Sequence, residues 1–117
     1  MEDSILKTVR VDGANQTVDC EVFDDQLIPL INTAFSNLNQ AGVGPVAGFA
    51  IDGVSQTWDD FTTDIIAQGW VKTYVSTYTR LMFDPPSASF VNDSLNRKMD
   101  ECFFRLNVHC DPPDEEV

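Results

Sequence analysis

The chain has 117 residues, the size of one domain, and such a domain buries roughly two-thirds of its unfolded surface in a single core. Hydrophobic residues at 43% exclude a disordered chain, and no run approaches the ~18 uninterrupted apolar residues of a membrane span. Nineteen acidic residues against seven basic ones leave a net charge of −12, which repels phosphate and argues against a protein that reads nucleic acid through a basic footprint.

The start, "MEDSILK", is acidic where a secretory leader would be basic, so a soluble, unprocessed chain made in the cytoplasm is expected. Cys20, Cys102 and Cys110 are odd in number and lack ligand-like spacing, which fits a reducing compartment. His109, Cys110 and Asp111 are adjacent and cannot all point at one ion, so no metal and no cofactor are expected.

In chain order, "DSILKTVR" places Ile5, Leu6 and Val9 on one side of a short helix behind Asp3 or Ser4 as cap. Its rival is a hairpin, since Val9, Val11, Val18, Cys20 and Val22 alternate. The next helix begins at Asp24 as cap, carries Pro29 near its first turn and stops before Gly42. Leu27, Ile31, Ala34, Phe35 and Leu38 recur at the spacing of one buried face. The opposite face, with Asn32, Thr33, Ser36, Asn37, Asn39 and Gln40, is polar yet uncharged, which suits a contact with another subunit better than a charged face would.

The glycine-rich stretch that follows holds at most one short extended piece around Phe49 and Ile51. Thr57 then caps "WDDF" with Asp60 completing a capping box, and Gln68-Gly69 is expected to break the helical phase. Phe61 and Ile65 mark one stripe before that break; Val71, Tyr74, Val75, Tyr78 and Met82 mark another after it. Asp84-Pro85-Pro86 ends this helix and forms a rigid interhelix corner.

The last helix is expected from about Ser89 to Asn107, with Leu95, Met99, Cys102 and Leu106 inward. Asp93, Arg97, Glu101 and Arg105 form a ladder of alternating charge on its outer side, and Phe104 stands in the middle of that ladder. The expected fold is all-α: a bundle of four to five helices over residues 1–106 with one short extended loop segment, followed by a flexible acidic arm over 107–117. No phosphate loop, nucleophile elbow or catalytic histidine constellation is present, so an enzyme is not expected.

The segments "FDDQLIPLINTAFSNLNQAGVGPVAGFAIDG", "TWDDF", "VKTYVSTYTRLMFDPPSASFV" and "ECFFRLNV", in this order, resemble the small head-tail connector proteins of tailed bacteriophages, the adaptor or head-completion proteins. The resemblance runs from Asp3 to about Val108, and Phe83-Asp84-Pro85-Pro86 is its most specific part. It implies a non-enzymatic part of the virion, assembled in the host bacterial cytoplasm. Such proteins form a homo-oligomeric ring beneath the portal protein, extend the DNA channel, complete the packaged head and receive the next neck or tail-completion protein. DNA would pass without specific binding, and the C-terminal arm would reach for the portal. On this reading Asn32, Ser36, Asn39, Phe49, Ile51, Phe104 and His109 are the expected subunit or partner contacts. The alternative is a small acidic inhibitor that mimics DNA and occupies a basic partner's groove.

Overall fold

The computed structural model describes residues 4–14, 16–17, 19–45, 48–84 and 87–110. Among the described residues there are five helices: α1 (Ile5–Asp12), α2 (Asp24–Gln40), α3 (Trp58–Phe61), α4 (Ile65–Phe83) and α5 (Ser89–Cys110). Among the described residues there is no strand, only an isolated bridge between Ser4 and Thr57, and the fold is the expected all-α bundle.

Ser4 caps α1 by accepting from the Lys7 amide, and Ile5, Leu6 and Val9 are fully buried. The alternating hairpin does not form, because Val9 and Val11 belong to one helix and only Val9 faces the core. The Ser4 hydroxyl donates to the Val54 carbonyl at 2.8 Å, the Ile5 amide to Gln56 at 3.1 Å, and the Trp58 indole to Thr8 Oγ1 at 3.2 Å. These bonds lash α1 to the loop that leads into α3.

Arg10 is buried at the end of α1 and grips Asp24 with two bonds, Nε to Oδ1 at 3.1 Å and Nη2 to Oδ2 at 2.6 Å. Hydrogen bonding to Asp24 holds the guanidinium's pKa above its usual value against the opposing effect of burial. Asp24 therefore does not cap α2 as expected. It is the first helical residue, behind Phe23, which makes no side-chain cap bond, and its carboxylate is committed to Arg10.

Leu27, Ile31, Ala34, Phe35 and Leu38 are all fully buried along α2, as their spacing requires. The helix closes with the Gly42 amide on the Asn39 carbonyl and the Val43 amide on Leu38, both at 3.0 Å, and with Gly42 at φ 89°. Phe35 is the hub of an aromatic cluster, with ring centroids at 4.9 Å from Phe49, 4.6 Å from Phe61 and 6.1 Å from Trp58. Such pairs add roughly 0.5–1.5 kcal/mol each beyond the area they bury. Gly44 lies under Phe61 at φ +85°, where a Cβ would sit 2.4 Å from the ring, so the loop follows this path only with glycine there.

Thr57 and Asp60 form the expected reciprocal capping box around α3. The break between the two helices falls at Thr62–Asp64, earlier than Gln68-Gly69. Asp64 accepts from the Ile66 and Ala67 amides and starts α4 there, so Gly69 lies within a continuous helix. That restart also corrects the first stripe: Phe61 is buried, but Ile65 opens a new helix and faces outward.

α4 packs against all four other helices. Its buried residues include Ala67, Val71, Tyr74, Val75, Ser76, Thr77, Thr79 and Leu81, which spread over more than one face. Asp84 ends it, its amide bonding to the Arg80 carbonyl at 3.0 Å. Pro85, Pro86 and residues 111–117 lie outside the described residues. α5 returns along α4 with Cys102 and Leu106 buried, and it continues to Cys110, past the residue where the arm was expected to begin. The Asn107 amide donates to the Ala41 carbonyl at 3.3 Å, which ties this last stretch to the end of α2.

Removing one member of a buried ion pair costs about 3–5 kcal/mol. Asp24→Ala is accordingly expected to lower unfolding free energy by about that amount, whereas Glu101→Ala, which breaks an exposed pair with Arg105, should cost under about 0.5 kcal/mol. Urea unfolding of both variants checks this order, and equal losses would deny the Arg10–Asp24 pair its structural role.

Candidate assembly interface

α5 packs principally on α4, so its outer side stays open along its whole length. Where α4 begins and α5 ends, Ile65 (83% exposed), Ile66, Phe104 (67% exposed) and Val108 are left uncovered. Trp70, Phe104, Arg105 and Val108 line a shallow hollow of about 260 Å³ on this end of the helix pair. Ile66 precedes Trp70 by one turn and shares its face.

Arg105 is held in this hollow from two sides. Its Nε donates to Glu101 at 3.0 Å, and its guanidinium carbon lies 5.4 Å from the Trp70 ring centre. Of the expected charge ladder, this is the rung that closes among the described residues, and it lays a flat cation beside the exposed Phe104.

A second apolar group sits at the other end of the pair. Met82 and Phe90 (73% exposed) flank the corner, and Val22 is uncovered next to Phe23, whose ring meets Phe83 edge-on at 5.2 Å. The nineteen residues of α4 separate the two ends by about 27 Å. The two groups differ in composition: Trp70, Arg105, Phe104 and the aliphatic Ile65, Ile66 and Val108 at one end, Met82, Phe90 and Val22 at the other.

The expected contact residues divide between inside and outside. Asn32 donates to the Ile51 carbonyl at 3.0 Å and accepts from the Ile51 amide at 2.7 Å, while Asn39 donates to the Pro45 carbonyl. Ile51 is buried, and Phe49 packs on Phe35 and Phe61. Asn37 adds a 3.5 Å bond to the Tyr74 hydroxyl. The uncharged face of α2 thus has a reason within the subunit: its amides clamp the loop after α2, where a charge would have to be desolvated. Ser36 stays exposed, Phe104 stays exposed, and His109 lies in the last turn of α5.

Trp70, Ile66, Val108, Met82 and Phe90 were not among the residues expected at a surface. Met82 belongs to the expected stripe of α4 and is nevertheless 52% exposed, because the helix runs past its cover there; for Ile66 and Val108 the signal was present in helical phase. Ile66 and Trp70 fall one turn apart at the border of the Val71–Tyr74–Val75 stripe, and Val108 follows Phe104 by the same step.

The acidic residues are distributed among local tasks. Asp60 and Asp64 cap helices, Asp24 pairs with Arg10, and Glu101 holds Arg105. Among the described residues no cluster of His, Cys, Asp or Glu is placed to hold a metal ion, and no helix is long and apolar enough to cross a membrane. Burial pushes the Cys102 thiol's pKa up, which keeps it in its less reactive form.

An all-helical unit whose apolar excess is displayed at two unlike ends has the form of an assembly part. The sequence matches the family of phage connector proteins over residues 5–113, and the chain belongs to that family. No curated protein and no solved structure matches it.

Phe104→Asp is expected to reduce self-association several-fold more than Arg97→Ala. The first puts a charge into an apolar contact, and the second trims an exposed cation. Sedimentation velocity over a concentration series checks this, and equal association of the two variants would remove Phe104 from the interface.

Proposed function

We propose that this chain is a head-tail connector, or adaptor, of a tailed phage or prophage, working in the virion as one subunit of a homo-oligomeric ring seated beneath the portal. The ring extends the DNA channel, completes the packaged head and offers a platform to the next neck or tail-completion protein. Membership of the connector family supports the general role. The single structural observation that carries the ring is the pair of unlike apolar ends, one around Trp70 and Phe104 and the other around Met82 and Phe90. A head-to-tail ring joins subunits through heterologous contacts, so each copy needs two different patches, one for each neighbour.

Charge supports the channel. With nineteen acidic and seven basic residues, a ring of such subunits repels the DNA backbone and lets it slide without adhering. In this reading the Asp84-Pro85-Pro86 corner sets the angle between α4 and α5, so that every subunit presents the same wedge. The acidic segment 111–117 serves as the arm that secures the ring to its partners.

Electron microscopy of the full chain mixed with portal rings tests the proposal. The expected image is a second ring stacked coaxially on one end of the portal. Portals that remain bare at concentrations where the chain is folded and in excess would overturn it.

A further inference from the structure

The basic residues of this acidic chain are unevenly placed. Lys72, Arg80 and Lys98, three of the seven, converge on one groove of about 200 Å³ at the end of α1, between α4 and α5. Asp12 is the acid on its rim. Among the described residues the ion pairs are Arg10–Asp24 and Arg105–Glu101, so none of these three cations is neutralised by a described carboxylate. Lys72 has only the face of Trp58, 6.0 Å away.

A second observation points into the same groove. Ser76 lines it, is 8% exposed, and its buried hydroxyl has no hydrogen-bond partner among the described residues. A buried hydroxyl left unpaired is costly, and this one belongs to a residue on the wall of the groove. Three cations lining one groove suit carboxylates.

The chain carries a matching anion. Beyond Cys110 it reads "DPPDEEV", with Asp111, Asp114, Glu115 and Glu116 in seven residues. α5 ends twelve residues past Lys98, which is about 18 Å along the helix and away from the groove. Asp111-Pro112-Pro113 is a sequence that favours an extended backbone over a reversal.

We propose that residues 111–117 of one copy bind the Lys72–Arg80–Lys98 groove of the adjacent copy, with their carboxylates on the cations. The tail then staples neighbours together, and the proposal rests on the ring reading for the existence of that neighbour. It adds electrostatic selectivity to the apolar ends: a copy in the wrong register brings acid to acid.

The test uses the full chain as an equal mixture of ordinary and nitrogen-15-labelled copies, treated with a carbodiimide that joins lysines to carboxylates in contact. Mass spectrometry should find mixed-isotope links between the C-terminal peptide and Lys72 or Lys98. Links within single-isotope species alone would mean that each tail binds its own subunit, and would overturn the proposal. So would an absence of tail links while a short DNA duplex protects the same lysines. Lys72→Glu with Lys98→Glu should weaken self-association roughly five- to tenfold, and adding Asp114→Lys with Glu115→Lys in the same chain should restore it. Unchanged association of the groove variant would sink the staple and leave the ring intact. A wild-type chain that neither self-associates nor decorates portals would sink both.

Discussion

The desolvation of α4 is the constraint on which the rest of the subunit depends. Nineteen residues long, this helix buries apolar and small hydroxyl side chains on more than one face, and each of those faces needs a cover. α2 supplies the largest apolar stripe, α1 and α3 close the end nearest Trp58, and α5 covers the remaining side. Ser76, Thr77 and Thr79 are small enough to let neighbours approach closely, and Gly13 exploits this at the end of α1: a Cβ there would lie 3.1 Å from the Ser76 carbonyl. Ser76 and Thr79 keep unpartnered hydroxyls in return, a cost of roughly 1–3 kcal/mol for each group.

Once α4 is covered, its cover is left with open outer sides. α5 spends one stripe on α4 and displays the rest, which is why Phe90, Phe104 and Val108 have no shelter within the subunit. The two apolar ends follow from the antiparallel return of α5: the start of α4 meets the end of α5, and the corner gathers Met82, Phe83 and Phe90 at the opposite pole. In the ring proposed above, these exposed residues are what each copy offers its neighbours. A subunit that satisfied all its own apolar surface would have nothing to offer a neighbour.

The loop after α2 shows how a polar pattern acquires meaning only from its neighbours. Asn32 mimics a strand partner for Ile51, and Asn39 holds Pro45, so the loop is pinned over Phe35 without strands of its own. An amide face that would suit an intersubunit contact equally suits this internal clamp, because both demand polar groups that can be buried without charge.

The sequence by itself determined the helical class, the inward stripe of α2 from Leu27 to Leu38, the capping box at Thr57 and Asp60, and the end of α4 at Phe83. Those features rest on spacing and on local chemistry within one turn, which are properties of consecutive residues. Tertiary structure alone decided the partner of Asp24, the destination of the α2 amides and the grouping of Trp70 with Phe104 and Arg105. It also decided that Lys72, Arg80 and Lys98, up to twenty-six positions apart, converge on one groove. Each of these depends on how one helix is rotated and translated against another, which the order of residues along a single helix does not specify.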